Sequence, residues 1–192
     1  MALFTRLRRR PQPQDEAFSD AVLVHAHGLY RYATRLVREP ADAEDLVQET
    51  MIKALRAFDR LRPNTNHRAW VFTILRNTWL SRQRKAGREQ PLEDPTVLPD
   101  LRAIHPAVQM VRREDGYRHG FDDEVLRALD RLPEPQRTAI VLCDVEGMSY
   151  EEIADVMTCP VGTVRSRIHH ARRRLREGLS AYARQAGYGG TG

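Results

Sequence analysis

The chain has 192 residues and carries 31 Lys and Arg against 26 Asp and Glu, which gives a formal net charge of +5. This length allows one large domain or two small ones, and a basic balance is typical of nucleic-acid-binding proteins. The two cysteines, Cys143 and Cys159, exclude a disulfide scaffold or a CxxC metal site and are interpreted as small buried hydrophobic residues. No run is apolar enough for a signal peptide or a membrane span, so we expect a cytoplasmic protein without membrane insertion.

The first half of the chain contains three predicted helices. A first amphipathic helix is expected to end near Arg38, because Pro40 disfavours helical backbone in the residue before it. The second helix begins around Asp42 with the acidic segment DAEDLVQETMIKAL. The third follows a loop of turn-forming residues and runs from about Arg68 to Lys85.

The third helix combines aromatic residues with cations and amides. Trp70, Phe72 and Trp79 stand among arginines and asparagines, and such side chains can hold unpaired bases. The aromatic faces would stack on the bases, while guanidinium and amide groups reach base edges and phosphates. All three aromatics could instead be core residues: we favour the core for Trp70 and leave both alternatives open for Phe72 and Trp79.

The second half begins with a proline-containing segment of weak periodicity at 89–121, which we interpret as a linker. Helices are predicted at 124–132 and 136–146, followed by two more helices joined by a tight turn. Ser149 followed three residues later by Glu152 predicts a capping box at the start of that pair. No strand-like alternation occurs, so the predicted fold class is all-α, with two small helical domains joined by a flexible linker.

The last predicted helix, from about residue 160 to 176, has one apolar stripe and one cationic row. The stripe consists of Val164, Ile168, Ala171 and Leu175, and the row of Arg165, His169, Arg172 and Arg176. A helix that docks by one side and offers cations on another is the layout of a helix-turn-helix recognition helix. A merely solvated face is disfavoured because this helix contains no acid before Glu177, whereas solvated faces usually mix charges of both signs.

Two motif blocks together resemble one protein family. The segments DAEDLVQETMIKAL, RAWVFTILRNTWL and LPEPQRTAIVLCDVEGMSYEEIADVMTCPVGTVRSRIHHARRRL are similar to regions 2 and 4 of bacterial extracytoplasmic-function (ECF, group 4) sigma factors of the sigma-70 family. The implied divisions are a disordered basic tail at 1–15, region 2 at 16–88, a linker at 89–121, the region 4 helix-turn-helix at 122–182 and a disordered tail at 183–192.

The resemblance also implies function and partners. The chain would direct core RNA polymerase to specific promoters and promote opening at the −10 element, initiating transcription in a stress or envelope response. It would act without enzymatic activity, cofactor or metal, and an anti-sigma factor would regulate it. Its partners would be the clamp helices of the largest polymerase subunit, the polymerase flap, and promoter DNA that is duplex at −35 and single-stranded at −10.

The resemblance assigns residues to three surfaces. The polymerase-binding surface, whose acidity suits a basic partner, comprises Asp45, Leu46, Gln48, Glu49 and Ile52. The −10 surface, which would capture a flipped base and the adjoining phosphates, comprises Arg62, Asn64, Asn66, Thr73, Asn77, Trp79, Arg82, Arg84 and Lys85. The −35 surface in the major groove comprises Thr163, Arg165, Ser166, Arg167, His169, His170 and Arg173. Many relatives carry Arg at the position of His170, so base preference there is expected to differ.

Two alternative functions are less well supported. A DNA-processing enzyme needs a nucleophile beside a base, or carboxylates that converge on a metal, whereas the acids of the DAEDLVQE segment surround one helix. A sigma-like decoy that titrates an anti-sigma factor usually carries a fused receiver domain, and no segment of this chain fits one.

Overall fold

The computed structural model describes residues 13–37, 39–86 and 123–185, and this part of the chain is helical without strands. The all-α prediction is therefore confirmed. The first half comprises α1 (Pro13–Ala21), a 3-10 turn (Leu23–His25), α2 (Ala26–Leu36), α3 (Pro40–Ala57), a second 3-10 turn (Phe58–Arg60) and α4 (His67–Ala86). The second half comprises α5 (Asp123–Asp130), α6 (Glu134–Ile140), a π-helical turn (Val141–Val145), α7 (Tyr150–Met157) and α8 (Val161–Gln185).

The first predicted helix is broken in the structure. Val22 leaves the helical region with φ −123° and ψ −46°, and the chain passes through the 3-10 turn before α2 begins. Val22 is fully buried and Leu23 nearly so, so that the bend is held by apolar contacts on both sides of it. The expected end of this helix, Arg38, lies outside the described residues.

Helix α3 begins two residues before the predicted Asp42. Pro40 occupies its first turn, where the fixed φ of proline is already helical and its missing N–H has no intrahelical partner to lose. Helix α3 packs against α2 and α4. Its buried residues, most of which recur at helical spacing, are Ala43, Leu46, Val47, Thr50, Met51, Ile52 and Ala54.

Helix α4 is covered on two sides, because it packs against both α3 and α7. Phe72 and Trp79, for which two alternatives were open, are both core residues with 1% and 6% exposure. The ring of Phe72 stacks on Tyr32 with centroids 5.8 Å apart. Trp70 is partly buried and packs against the same core.

The helix-turn-helix forms as the sequence predicts. The amide of Glu152 donates to Ser149 Oγ at 3.1 Å, and the Ser149 amide donates to the Glu152 carboxylate at 2.9 Å, which confirms the capping box. Helix α7 ends where Thr158 adopts a left-handed conformation, with φ 49°. The apolar stripe of α8 is buried at Val164, Ile168 and Ala171, and the helix continues to Gln185, beyond its predicted end.

A π-helical turn replaces the end of the helix predicted at 136–146. The Glu146 amide reaches back five residues to the carbonyl of Val141, at 3.1 Å. Gly147 follows with φ 64°, a left-handed conformation that glycine adopts without a steric penalty. Such widened turns often occur at functional positions.

The two halves of the chain lie against each other in one continuous hydrophobic core. Helix α4 packs on α7, and the buried Tyr32 hydroxyl lies 3.4 Å from Thr138 Oγ1 of α6. The two predicted helical domains are both present, and in this conformation they share apolar surface. The linker predicted at 89–121 lies outside the described residues, as do most residues of the two predicted tails, although 13–15 and 183–185 are helical.

Candidate nucleic-acid and polymerase interfaces

The predicted polymerase-binding residues divide between the surface and the core. Asp45 is exposed and Gln48 is partly exposed on the outer side of α3. Leu46 and Ile52 have 0% and 4% exposure, so their assignment to the docking surface is corrected. Both belong to the inward side of α3, which a helix of this spacing must bury.

Glu49 is the centre of an ion-pair cluster on α3 and α4. Its Oε1 lies 2.6 Å from Lys53 Nζ, and its Oε2 lies 2.8 Å from Arg82 Nη2. Partial burial raises the pKa of Glu49, but the hydrogen bonds from Lys53 and Arg82 outweigh it and hold that pKa below its usual range. In this conformation Arg82, predicted to contact phosphate, is paired with Glu49.

The loop before α4 presents two of the predicted −10 residues to solvent. Arg62 and Asn64 are both exposed. Asn64 adopts φ 64°, which asparagine tolerates better than most residues. The Thr65 hydroxyl donates to the Arg62 carbonyl at 2.7 Å and so closes the turn.

Asn66 joins this loop to both halves of the chain. Its Oδ1 accepts a hydrogen bond from the Ala69 amide at 3.0 Å, which caps the first turn of α4. Its Nδ2 donates to Glu152 Oε1 of α7 at 3.1 Å. The side chain that was predicted to contact DNA is therefore occupied by the C-terminal half.

The predicted −10 residues of α4 differ strongly in accessibility. Asn77 and Lys85 are exposed, as is Arg84, which bonds to the Leu80 carbonyl at 3.3 Å. Thr73 is partly buried and donates to the Ala69 carbonyl at 2.8 Å. Trp79 is in the core, where its Nε1 is buried and has no hydrogen-bond partner within the described part of the chain. Its assignment as a base-stacking residue is corrected for this conformation.

Most of the predicted −35 residues share the solvent-facing side of α8. The exposed ones are Arg165, Ser166, His169, His170 and Arg173, and Thr163 is partly buried. The rings of His169 and His170 meet edge to face, with centroids 5.6 Å apart. The Ser166 hydroxyl donates to the Thr163 carbonyl at 2.9 Å.

Arg167 is directed differently from the other α8 arginines. Its Nη1 lies 3.3 Å from Cys159 Sγ and 3.9 Å from Met157 Sδ, so the guanidinium leans against the turn between α7 and α8. This contact explains its partial burial and argues for a role in positioning α8. Sequence spacing alone could not distinguish Arg167 from the neighbouring arginines, because its contacts depend on where the turn between α7 and α8 lies.

The sequence pattern missed the ion pair between Arg172 and Asp144. Arg172 donates to Asp144 at 2.7 Å and 3.4 Å, and this pair joins α8 to the π-helical turn. Arg172 Nη2 also lies 3.8 Å from Cys143 Sγ. Burial, followed by the neighbouring Asp144, raises the pKa of the Cys143 thiol. Both cysteines are half-buried beside arginines, rather than the fully buried residues the sequence suggested.

The described residues contain neither a candidate metal site nor a helix that could span a membrane. Within 13–37, 39–86 and 123–185, no three His, Cys, Asp or Glu residues are grouped closely enough to hold a metal ion. In the same part of the chain, no helix is both long and apolar enough to cross a membrane.

Two family models match the halves of the chain separately. Residues 21–89 match sigma-70 region 2, and residues 122–175 match sigma-70 region 4. The first match contains α2 to α4, and the second contains α5 to α7 and most of α8.

Curated relatives match nearly the whole chain. The ECF RNA polymerase sigma factor SigE of Mycolicibacterium smegmatis is 38% identical over 167 residues, which are 87% of this chain. The match spans only 63% of the length of SigE. The ECF RNA polymerase sigma factor EcfG of Rhodopseudomonas palustris is 36% identical, and the match covers 85% of this chain and 85% of EcfG. The RNA polymerase sigma-H factor of Pseudomonas aeruginosa is 35% identical, with 94% of this chain and 96% of that protein covered.

Two solved structures share the fold of this chain. The sigma factor RpoE of Bartonella quintana, crystallised with the anti-sigma factor NepR, superposes with a TM-score of 0.66 at 35% identity and covers 86% of this chain and 98% of its own. CnrH, solved with the cytosolic domain of CnrY, gives a TM-score of 0.60 at 28% identity and covers 86% and 89%. With both motif blocks matched in order, the chain belongs to the ECF RNA polymerase sigma factors, the transcription initiation factors of the sigma-70 family.

Proposed function

We propose that this sigma factor directs core RNA polymerase to specific promoters by gripping DNA at two points. The observation that carries the proposal is the solvent-facing side of α8, where Arg165, His169 and Arg173 are exposed while Val164 and Ile168 anchor the helix in the core. A helix held in this way can enter a major groove without unfolding its support.

The −35 contact rests on the first turns of α8. Residues near the N-terminal end of a recognition helix contact base edges, and Arg165 is the exposed cation nearest that end. An arginine can bind guanine O6 and N7 together, which a neutral histidine cannot imitate. We therefore assign base reading to Arg165, and phosphate or shape contacts to His169 and His170.

The −10 contact rests on the loop before α4 and the exposed side of that helix. Arg62, Asn64 and Asn77 supply hydrogen-bonding groups for an unpaired base, and Arg84 and Lys85 are exposed cations for the adjoining phosphates. Since Trp79 is in the core, we assign no base stacking to it.

The polymerase contact rests on the acidic outer side of α3. Asp42 and Asp45 are exposed there, and Gln48 is partly exposed. Carboxylates at a protein surface attract a basic partner: charge complementarity speeds association and fixes the register in which the two surfaces dock. We propose that this side of α3 docks on the polymerase clamp helices, and that the chain accordingly works in the cytoplasm.

Regulation by an anti-sigma factor is part of the proposal. Of the two similar structures, RpoE was solved in complex with the anti-sigma factor NepR, and CnrH in complex with the cytosolic domain of CnrY. Because this chain shares their fold at 35% and 28% identity, we propose that a cognate anti-sigma factor binds it as well. Affinity purification of the tagged chain from its own cells, followed by mass spectrometry, tests this partner.

The decisive experiment is transcription in vitro with purified core polymerase. Genomic DNA fragments serve as template, and the transcripts are sequenced to find start sites that depend on this chain. We expect a defined set of starts that share −35 and −10 elements, and loss of those starts in Arg165→Ala. Arg184→Ala, an exposed arginine on the last turn of the same helix, is the matched control. No specific start at any fragment would overturn the proposal and favour a decoy.

A further inference from the structure

Arg172 differs from the other arginines of the cationic row on α8. Residues seven apart share one side of a helix, so Arg172 lies two turns beyond Arg165 on the side that would face DNA. Within the described part of the chain, Arg165 and Arg176 have no ion-pair partner, whereas Arg172 is paired with Asp144. One cation of the row is therefore already paired with an acid of the same half of the chain.

Asp144 binds Arg172 in the way that a phosphate would. Its Oδ1 accepts from Nη2 at 2.7 Å and its Oδ2 accepts from Nε at 3.4 Å, so the carboxylate lies along one edge of the guanidinium. Nη2 also lies 3.8 Å from Cys143 Sγ. The planar fork of an arginine binds a phosphate through two parallel hydrogen bonds of this kind. A phosphate can therefore take this edge of Arg172 only after Asp144 has released it.

The π-helical turn places Asp144 beside α8. The turn continues directly from α6, and α6 packs against α8. The Glu146 amide donates to the Val141 carbonyl at 3.1 Å across the turn, and Gly147 closes it with φ 64°. Asp144 is thus presented by the same packed helices that support α8, and it accompanies α8 when this surface meets DNA.

The Asp144–Arg172 pair lies where an approaching anion can reach it. Arg172 keeps 49% of its side-chain exposure and Asp144 keeps 44%. Exposed ion pairs contribute little to the stability of a fold, so this pair is more important for what it does to a ligand. A phosphate that approaches Arg172 meets a pair of zero net charge, whose carboxylate repels it.

Resting on the proposed function, we propose that Asp144 is a positioning residue that holds Arg172 away from DNA phosphates and so limits sequence-independent binding by α8. Such binding comes from cations that neutralise phosphates, and each contact steepens the dependence of affinity on salt. A complex at a promoter is kept in register by base contacts, whereas a sequence-independent complex can shift until a free Arg172 meets a phosphate. The pair therefore weakens sequence-independent complexes more than promoter complexes.

Asp144→Asn releases Arg172, because it removes the charge of the carboxylate and keeps its size. Asp130→Asn is the matched control: Asp130 is paired with Arg137 at 3.2 Å, but that arginine keeps only 19% side-chain exposure. Two double variants separate a released Arg172 from a change of net charge. Asp144→Asn with Arg172→Gln and Asp144→Asn with Arg184→Gln both have the wild-type charge, and only the second retains Arg172.

Fluorescence anisotropy measures the affinity of each full-length variant for a labelled mixed-sequence duplex between about 50 and 200 mM salt. We expect Asp144→Asn to bind about eightfold more tightly at about 0.1 M salt, with a logarithmic salt slope steeper by about 0.9. The gain should persist with Arg184→Gln and disappear with Arg172→Gln, and Asp130→Asn should show none. A promoter fragment identified by transcription in vitro should gain less than the mixed-sequence duplex. Circular dichroism establishes that each variant is folded.

Three results would overturn the proposal. The first is an unchanged affinity and salt slope in Asp144→Asn, since a merely structural ion pair would leave both as they are. The second is an equal gain in Asp130→Asn, which would assign the effect to net charge. The third is an equal gain on the promoter fragment. The mixed-sequence measurement needs no polymerase, so if it responds as expected but the chain supports no transcription, the proposed function fails while the role of Asp144 is upheld.

Discussion

Arg31 and Glu146 are 115 positions apart in sequence, yet two hydrogen bonds of 3.0 Å and 2.7 Å join their side chains. Arg31 keeps 29% of its side-chain exposure, whereas Glu146 keeps 1%. The pair is thus asymmetric: water can still reach the arginine, but the glutamate depends on its partner. This asymmetry sets which substitution should be the more damaging.

Removing Arg31 should therefore destabilise the closed chain, because Glu146 is left as an unpaired buried charge. We expect Arg31→Ala to lower the free energy of unfolding by about 2–3 kcal/mol, somewhat less than the roughly 3–5 kcal/mol of fully buried pairs. Urea denaturation followed by circular dichroism measures it. The double variant with Glu146→Ala should be no less stable than Arg31→Ala alone, and additive losses would contradict direct coupling.

The capping box should contribute measurably to the helix-turn-helix. Ser149→Ala leaves the Glu152 amide without its acceptor, so we expect the free energy of unfolding to fall by about 1 kcal/mol. Thermal unfolding measures the change. Ser180→Ala, whose exposed hydroxyl bonds only to the Glu177 carbonyl among the described contacts, is the control and should change stability by less than about 0.5 kcal/mol.

Packing between the two halves of the chain should weaken in mild acid. Burial, followed by the charges of Arg68 and His67, lowers the pKa of His25 below its ordinary value of 6.5, although Glu152 acts in the opposite direction. The unfolded or open chain therefore binds this proton more readily. The stability linked to His25 is complete above pH 6.5 and is lost as the pH falls from 6.5 towards the lowered value.

Hydrogen exchange of α4 and α7 peptides between pH 8 and about pH 5 tests this dependence on His25. We expect protection to fall in the wild type after correction for intrinsic exchange rates, and to fall less in His25→Gln. His169→Gln, which alters an exposed histidine of α8, should retain the wild-type profile. Burial raises the pKa of Glu152, but the hydrogen bonds from Ser149 and Asn66 and the charge of Arg68 outweigh it and hold that pKa below its ordinary value of 4.5. If the measurement is extended below pH 4.5, a second loss is therefore expected in all three proteins.

Arg165→Ala should weaken duplex binding at −35. If Arg165 reads a guanine, the variant loses about 1–3 kcal/mol of specific binding and its base preference at that position. Competition binding with promoter fragments substituted one base pair at a time measures both. A uniform loss across all sequences, with a smaller salt dependence, would assign Arg165 to a phosphate instead.

Asn77→Ala should impair opening at −10 while leaving closed-duplex binding largely intact. The residue is exposed on α4, and the cost of flipping a base, a few kcal/mol, is offset only by the pocket that receives it. Permanganate footprinting of the holoenzyme on promoter DNA measures opening. Gln83→Ala, another exposed polar residue on α4, is the control. Equal loss of opening and duplex binding would contradict the assignment.

The sequence by itself determined the all-α fold class, the helix-turn-helix and the buried stripe of α8. The stripe of Val164, Ile168 and Ala171 and the capping box at Ser149 follow from periodicities and local hydrogen bonds that a few neighbouring residues decide. The order of the two motif blocks was sufficient to indicate the family.

Only the tertiary structure decided which of those faces remain available. Helix α4 lies between α3 and α7, so Trp79 is in the core, and Asn66 is bonded to a helix that follows it by more than eighty residues. The same contacts bury Glu146 in a segment whose composition gives no sign of it. The local sequence pattern predicts which side of a helix is apolar and which is polar. Contacts between distant segments depend instead on how the helices pack, which is a property of the whole chain.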